Sequence, residues 1–129
     1  MRVAVVGTGH VGLVTAATLS VLGHEVVGID EDEEKVRLLQ KCICPFFEPG
    51  LPRLIENGAS SGRLRFEVDA PDAVAEADVV FICVGTPSKS TGEASLVAIE
   101  RAARRLAPHL SSATVVVEKS TVPAGTAQR

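Results

Sequence analysis

Apolar positions along this chain follow two rhythms, and the rhythms alternate. Residues 3–6 form an unbroken run of small and β-branched apolar side chains, the pattern of a strand buried on both faces. Residues 13–22 carry good helix formers such as Ala16, Ala17 and Leu19, and Gly23-His24 closes that segment. A second strand is predicted over 25–29. A second helix follows over 31–40, with Val36, Leu38 and Leu39 on a charged background. Residues 41–50 read as an irregular loop closed by Pro45, Pro49 and Gly50. A short helix over 51–57 is expected to stop at Gly58, with a polar turn over 59–62. Residues 63–68 alternate like a strand, and 71–76 form a brief helix with Asp69 as its expected cap. Another buried strand spans 78–84, and the polar stretch 88–93 is expected to be mobile. Helical spacing returns over 96–106 through Val97, Ile99, Ala102, Ala103 and Leu106. Residues 114–118 are the last strand, and 126–129 read as the opening of a further helix cut short.

Strands alternating with helices predict an α/β architecture, a doubly wound parallel sheet of about five strands. Composition agrees. The chain has 129 residues, enough for one domain, and 46% are apolar, yet only four are Phe and none is Trp or Tyr. The core must therefore be aliphatic, as in a parallel sheet covered by helices. A net charge of −3 leaves no basic footprint for nucleic acid. No apolar run approaches the roughly 20 residues that span a bilayer. Met1-Arg2-Val3 leads straight into a strand with no signal-peptide pattern, so a cytoplasmic location is expected, with neither membrane nor nucleic acid as partner.

The candidate chemistry sits at the carboxyl ends of the strands, where open α/β sheets bind ligands. Gly7, Gly9 and Gly12 follow the first strand in the spacing G-x-G-x-x-G. Gly7 allows the tight turn, Gly9 leaves no Cβ in the way of a pyrophosphate, and Gly12 lets the helix pack closely. The first helical turn offers unpaired N–H groups and a positive dipole end to phosphates. Asp30 ends the second strand, where a carboxylate takes both hydroxyls of an adenosine ribose and repels a 2′-phosphate. Glu31 and Asp32 follow, with no arginine, so NAD is favoured over NADP. The architecture is thus Rossmann-type.

Gly85-Thr86-Pro87 and Lys119-Ser120-Thr121 follow the fourth and fifth strands and put Thr86 and Thr121 on the same rim. For each threonine the plain alternative to cofactor contact is a hydroxyl bonded to its own turn. Lys35, read from its position alone, is a solvated surface lysine. Cys42, Cys44 and Cys83 form neither a disulfide framework nor a zinc pattern, and Cys83 reads as a small buried hydrophobe. No metal site is expected.

Several stretches together resemble the N-terminal domain of the UDP-glucose/GDP-mannose dehydrogenase family. They are Gly7-Thr8-Gly9-His10-Val11-Gly12-Leu13, Asp30, Lys35-Val36, Glu48-Pro49-Gly50-Leu51, Val84-Gly85-Thr86-Pro87 and Lys119-Ser120-Thr121-Val122-Pro123. The likeness runs the length of the chain, and Phe46-Phe47 before Glu48 is closer to the UDP-glucose branch. It implies an NAD-dependent, four-electron oxidation of a sugar C6 alcohol to a carboxylate, UDP-glucose to UDP-glucuronate. Two hydrides go in turn to two NAD molecules, with a cysteine-bound thiohemiacetal and thioester between them. It also implies cofactor contacts from Gly7, Gly9, His10, Val11, Gly12, Asp30, Lys35, Val84, Gly85, Thr86, Pro87, Ser120 and Thr121. Thr121 corresponds to a threonine that the family places near the nicotinamide and a catalytic water, a supporting catalytic role.

Three positions depart from the family's usual pattern: His10 stands for tyrosine, Cys42 for glycine and Ser95 for aspartate. The family's nucleophilic cysteine belongs to a later domain, and none of the three cysteines here matches its motif. Residues 1–129 are therefore expected to be an incomplete NAD-binding domain, inactive alone, from a parent that is a homodimer or larger. The family's central helix and UDP-sugar domain are expected to lie outside these residues. The alternatives are another UDP-sugar or GDP-mannose dehydrogenase, a stand-alone NAD-binding module, or a different NAD enzyme of the same fold. The final strand, 115–117, is expected as an exposed edge able to pair with another chain.

Overall fold

The computed structural model describes residues 1–128. Five strands, β1 (Arg2–Val6), β2 (Glu25–Ile29), β3 (Leu64–Glu67), β4 (Val79–Ile82) and β5 (Val115–Glu118), form one sheet in the order β3-β2-β1-β4-β5. Every pairing is parallel. The helices are α1 (His10–Val21), α2 (Glu33–Gln40), α3 (Leu51–Ser60), α4 (Pro71–Ala75) and α5 (Val97–Leu106).

Alternation along β1 divides the core. Val3 and Val5 face a cluster with Leu13, Ala16 and Ala17 of α1, Val36 and Leu39 of α2, and Leu51 and Ile55 of α3. Ala4 faces the opposite cluster, with Val74 of α4 and Ala102 and Leu106 of α5. Both faces are therefore covered by helices, which is why the strands read as continuous apolar runs.

The register aligns the strand ends that matter. Val6 pairs with Ile29 on one side and Ile82 on the other, and Ile82 pairs with Glu118. The chain winds outward from β1 through β2 to β3, then crosses back to β4. A crevice consequently opens above the ends of β1 and β4, at the topological switch point.

Three local expectations are corrected. α3 does not stop at Gly58 but runs through it to Ser60; a Cβ there would lie 2.4 Å from Ser20 Oγ and 2.9 Å from Leu64 Cβ. This glycine serves close packing, and the chain turns instead at Gly62, with φ of +73°. Asp69 does not cap α4: the N-cap residue is Ala70, which makes no side-chain cap bond. α2 begins at Glu33 rather than residue 31, because Asp32 accepts from the Lys35 N–H at 3.1 Å as its N-cap. The stretch 88–93 closes on itself, with the Lys89 N–H on the Glu93 carbonyl at 2.7 Å and a turn at Gly92.

A 3-10 turn covers Thr126–Gln128, and the remainder of the expected terminal helix, Arg129, lies outside the described residues. β5 is an edge strand, with Val115 and Val116 exposed. Cys42 has φ of +59°, in the left-handed region that favours glycine. Among the described residues, no helix is long and apolar enough to cross a membrane.

Candidate functional site

The turn off β1 is built for close approach. Gly7 has φ of +94°, and a Cβ on it would meet the Cys83 carbonyl oxygen at 2.7 Å. Gly12 is tighter still, since its Cβ would stand 1.8 Å from the Gly7 carbonyl oxygen. Both glycines are thus required by the protein itself. Gly9 differs: a Cβ there would meet no protein atom within 4 Å. It caps α1 without any side-chain bond, so the N–H groups of the first turn are free to take an anion.

A cleft of about 400 Å³ opens beside this turn. Of the expected cofactor contacts, Gly7, Gly9, Asp30, Lys35, Val84 and Gly85 line it. Its wall continues between α4 and α5, past Val74, Ala98 and Ala102, which gives an apolar slot next to a polar rim.

Asp30 is the most constrained group in the cleft. Its Oδ2 accepts from the Thr8 N–H at 2.9 Å, the Thr8 hydroxyl at 2.8 Å and the Lys35 ammonium at 3.0 Å. Among the described residues, its Oδ1 accepts only from the Asp32 N–H, at 3.0 Å. Burial raises the carboxyl's pKa, but the N–H groups of Asp32 and Thr8, with the Lys35 ammonium and Thr8 hydroxyl, outweigh it. The result lies below the ordinary value of 3.8. Lys35 is therefore no free surface lysine.

Thr8 is fully buried, and the sequence reading missed it. The only signal was its place between two glycines, where a side chain must point inward or into the ligand space.

His10 and Val11 begin α1 and are both exposed. The His10 ring stacks on Phe46 with centroids 4.6 Å apart, and its Nε2 lies 2.6 Å from Glu48 Oε2. These contacts tie the loop over 41–50 to the start of α1.

Thr86, Pro87, Ser120 and Thr121 gather apart from the cleft, at the ends of β4 and β5. The Thr86 hydroxyl donates to the Thr121 carbonyl at 3.1 Å, and the Ser120 hydroxyl to the Val84 carbonyl at 2.8 Å. Thr86 accordingly bonds backbone, though on the neighbouring loop rather than its own turn.

Burial raises the Cys83 thiol to about 11, with Lys119 lowering it and Glu118 raising it less strongly. It stays protonated at neutral pH and packs in the core beside α1. Cys42 and Cys44 are half-buried against the same cluster. Among the described residues, no group of three or more His, Cys, Asp or Glu is placed to hold a metal ion.

Known proteins resemble this chain in sequence and fold. The model of the UDP-glucose/GDP-mannose dehydrogenase family, NAD binding domain, matches residues 1–129. A UDP-glucose 6-dehydrogenase of Bacillus subtilis is 51% identical over 126 residues, covering 98% of this chain and 29% of that protein. A GDP-mannose dehydrogenase from Pseudomonas aeruginosa, solved as a ternary complex, superposes with a TM-score of 0.94 at 41% identity. That match covers 100% of this chain and 30% of the other. A UDP-glucose dehydrogenase from the archaeon Pyrobaculum islandicum gives 0.90 at 42% identity, covering 96% and 29%. The chain therefore spans less than a third of the length of these relatives. A glycine turn, an anchored carboxylate and this match over every residue lead to one assignment: the chain belongs to the UDP-glucose/GDP-mannose dehydrogenase family as its NAD binding domain, and NAD is its cofactor.

Proposed function

We propose that the cleft takes the adenosine and diphosphate of NAD, and that this chain is the cofactor-binding part of a nucleotide-sugar 6-dehydrogenase. The observation that carries the reading is Asp30, fixed by Thr8 and Lys35 beside a glycine turn that leaves open space at Gly9. Gly7, Gly9 and Gly12 shape the turn, and the N–H groups beginning at His10 and Val11 receive the diphosphate. One ribose hydroxyl donates to Asp30 Oδ1, which holds a single donor, and the other lies against the Lys35 ammonium. This division replaces the simpler expectation that the carboxylate alone takes both hydroxyls, because Oδ2 already accepts three bonds. Val84, Gly85, Thr86, Pro87, Ser120 and Thr121 border the nicotinamide, with Thr121 supporting the chemistry. NAD supplies a hydride acceptor there.

UDP-glucose is the proposed sugar nucleotide of the whole protein, favoured by Phe46-Phe47 before Glu48. The Bacillus subtilis relative bears that name. The proposed parent is a homodimer or larger, and residues 1–129 alone are proposed to lack turnover. Support comes from the cysteines: Cys83 is a buried thiol, and Cys42 and Cys44 pack against the core.

Calorimetric titration with NAD and NADP, on the wild type and Asp30→Ala, tests the reading. NAD is expected to bind in preference to NADP. Loss of the carboxylate should weaken NAD about a hundredfold, the scale of charge-assisted hydrogen bonds in a partly buried site. Equal NAD binding by the Asp30→Ala variant would overturn the site.

A further inference from the structure

Past Asp30 the cleft carries charges that cofactor binding alone does not explain. Arg101 and Arg105 stand one turn apart on α5, and both line the cleft, as does Glu31 at the end of β2. Arg101 Nη1 is 3.5 Å from Glu31 Oε1, and Arg105 Nη1 is 3.8 Å from Glu31 Oε2. The other terminal nitrogen of Arg105 is 3.6 Å from Asp69 Oδ1. Glu31, the residue after Asp30, thereby joins the end of β2 to a helix on the far wall of the cleft.

These four side chains are 50% to 72% exposed, and ion pairs in such positions add little to stability. Their effect is on the local field. An arginine near the ribose is what lets a dinucleotide site accept a 2′-phosphate, through charge-assisted and often bidentate hydrogen bonds. None stands near Asp30 in the sequence, yet the fold delivers two. Glu31 occupies both guanidinium groups and adds a negative charge beside Asp30, so the arginines are present but neutralised.

We propose that Glu31 is a specificity-determining residue, which withholds Arg101 and Arg105 from a 2′-phosphate and so keeps the cleft selective for the unphosphorylated dinucleotide. Asp69 assists by engaging the free side of Arg105. The proposal rests on the cofactor reading above. It differs from simple repulsion by Asp30, because it assigns the selectivity to a clasp between β2 and α5. Breaking the clasp should convert a neutral rim into a phosphate-binding one.

The test is calorimetric titration of the chain with NAD and NADP for the wild type, Glu31→Gln, and Glu31→Gln combined with Arg101→Gln and Arg105→Gln. Far-ultraviolet circular dichroism and thermal midpoints check that each variant is folded. Glu31→Gln should bind NADP about tenfold more tightly while NAD changes by less than about twofold, the scale of two screened charge pairs. That gain should shrink as salt is raised and should be absent in the triple variant. An unchanged NADP-to-NAD ratio in Glu31→Gln would overturn the proposal. So would a gain that survives loss of both arginines, since repulsion by Glu31 alone would then explain it. Failure of the wild type to bind NAD is a different result: it removes the cofactor reading and this proposal with it.

Discussion

The two halves of the crevice are built differently, although the same sheet edge supports both. On the β2 side, Asp30 accepts four bonds from within the chain, and Thr8 beneath it is fully buried. On the β5 side, Thr121 is exposed, and the hydroxyls of Thr86 and Ser120 reach across to backbone carbonyls that join the two loops. One half presents a fixed, charged side chain. The other presents a seam between loops, beside a strand that has a neighbour on one side only. Position at a strand's carboxyl end does not by itself make a finished subsite; the packing behind it does.

The largest effect that would sharpen this contrast is on pH. Asp30 has its pKa lowered by bonds that need the ionised carboxylate. Its contribution to stability is therefore complete above the unfolded carboxylate value and is lost as pH falls through the lower folded value. NAD affinity should likewise stay level from neutrality down past the ordinary carboxylate value and fall only as pH passes the lowered folded value of Asp30. Titrations across that range, compared with Asp30→Asn, would show the acid limb only in the wild type. An affinity that already falls between pH 7 and 5 would shift control to another group.

A smaller effect is expected at Thr8. Thr8→Val keeps the shape and the N–H bond but removes the hydroxyl from Asp30 Oδ2. Affinity for NAD should fall about tenfold, the scale of one hydrogen bond to a charged group. A value equal to wild type would show that the backbone N–H and Lys35 suffice to orient the carboxylate. Smallest of all is Thr86→Val, which loosens the seam to Thr121. The same titration should register less than about a threefold change, because the neutral bond it removes lies at a solvent-accessible loop. A loss as large as that from Thr8→Val would break the comparison and place a direct cofactor contact at Thr86.

Much of this was legible in the chain, for reasons that can be named. The alternation of Val3, Ala4 and Val5, the glycine spacing and Asp30 are local patterns whose causes lie within a few residues. A doubly wound parallel sheet follows from them once strands alternate with helices. What escaped was decided by partners distant in sequence. Gly58 looked like a helix stop, but its lack of a Cβ serves contact with Ser20 and Leu64. The role of Thr8 depends on Asp30, which the end of β2 brings above it. Arg101 and Arg105 lie between the apolar positions of the repeat over 96–106, far in sequence from Glu31. They meet because β4 returns to pair with β1 and α5, on the connection to β5, packs with α4 over the same face of the sheet. Cys42 belongs to both groups: its departure from glycine was visible, whereas the left-handed backbone that makes the departure matter was not.

The ring of donors around Asp30 has a kinetic consequence. Because the carboxylate is oriented by the protein's own groups, an arriving dinucleotide meets a receptor that has little ordering left to do. Encounter should therefore be fast and much the same for related ligands. Discrimination among them should appear in how long each one stays.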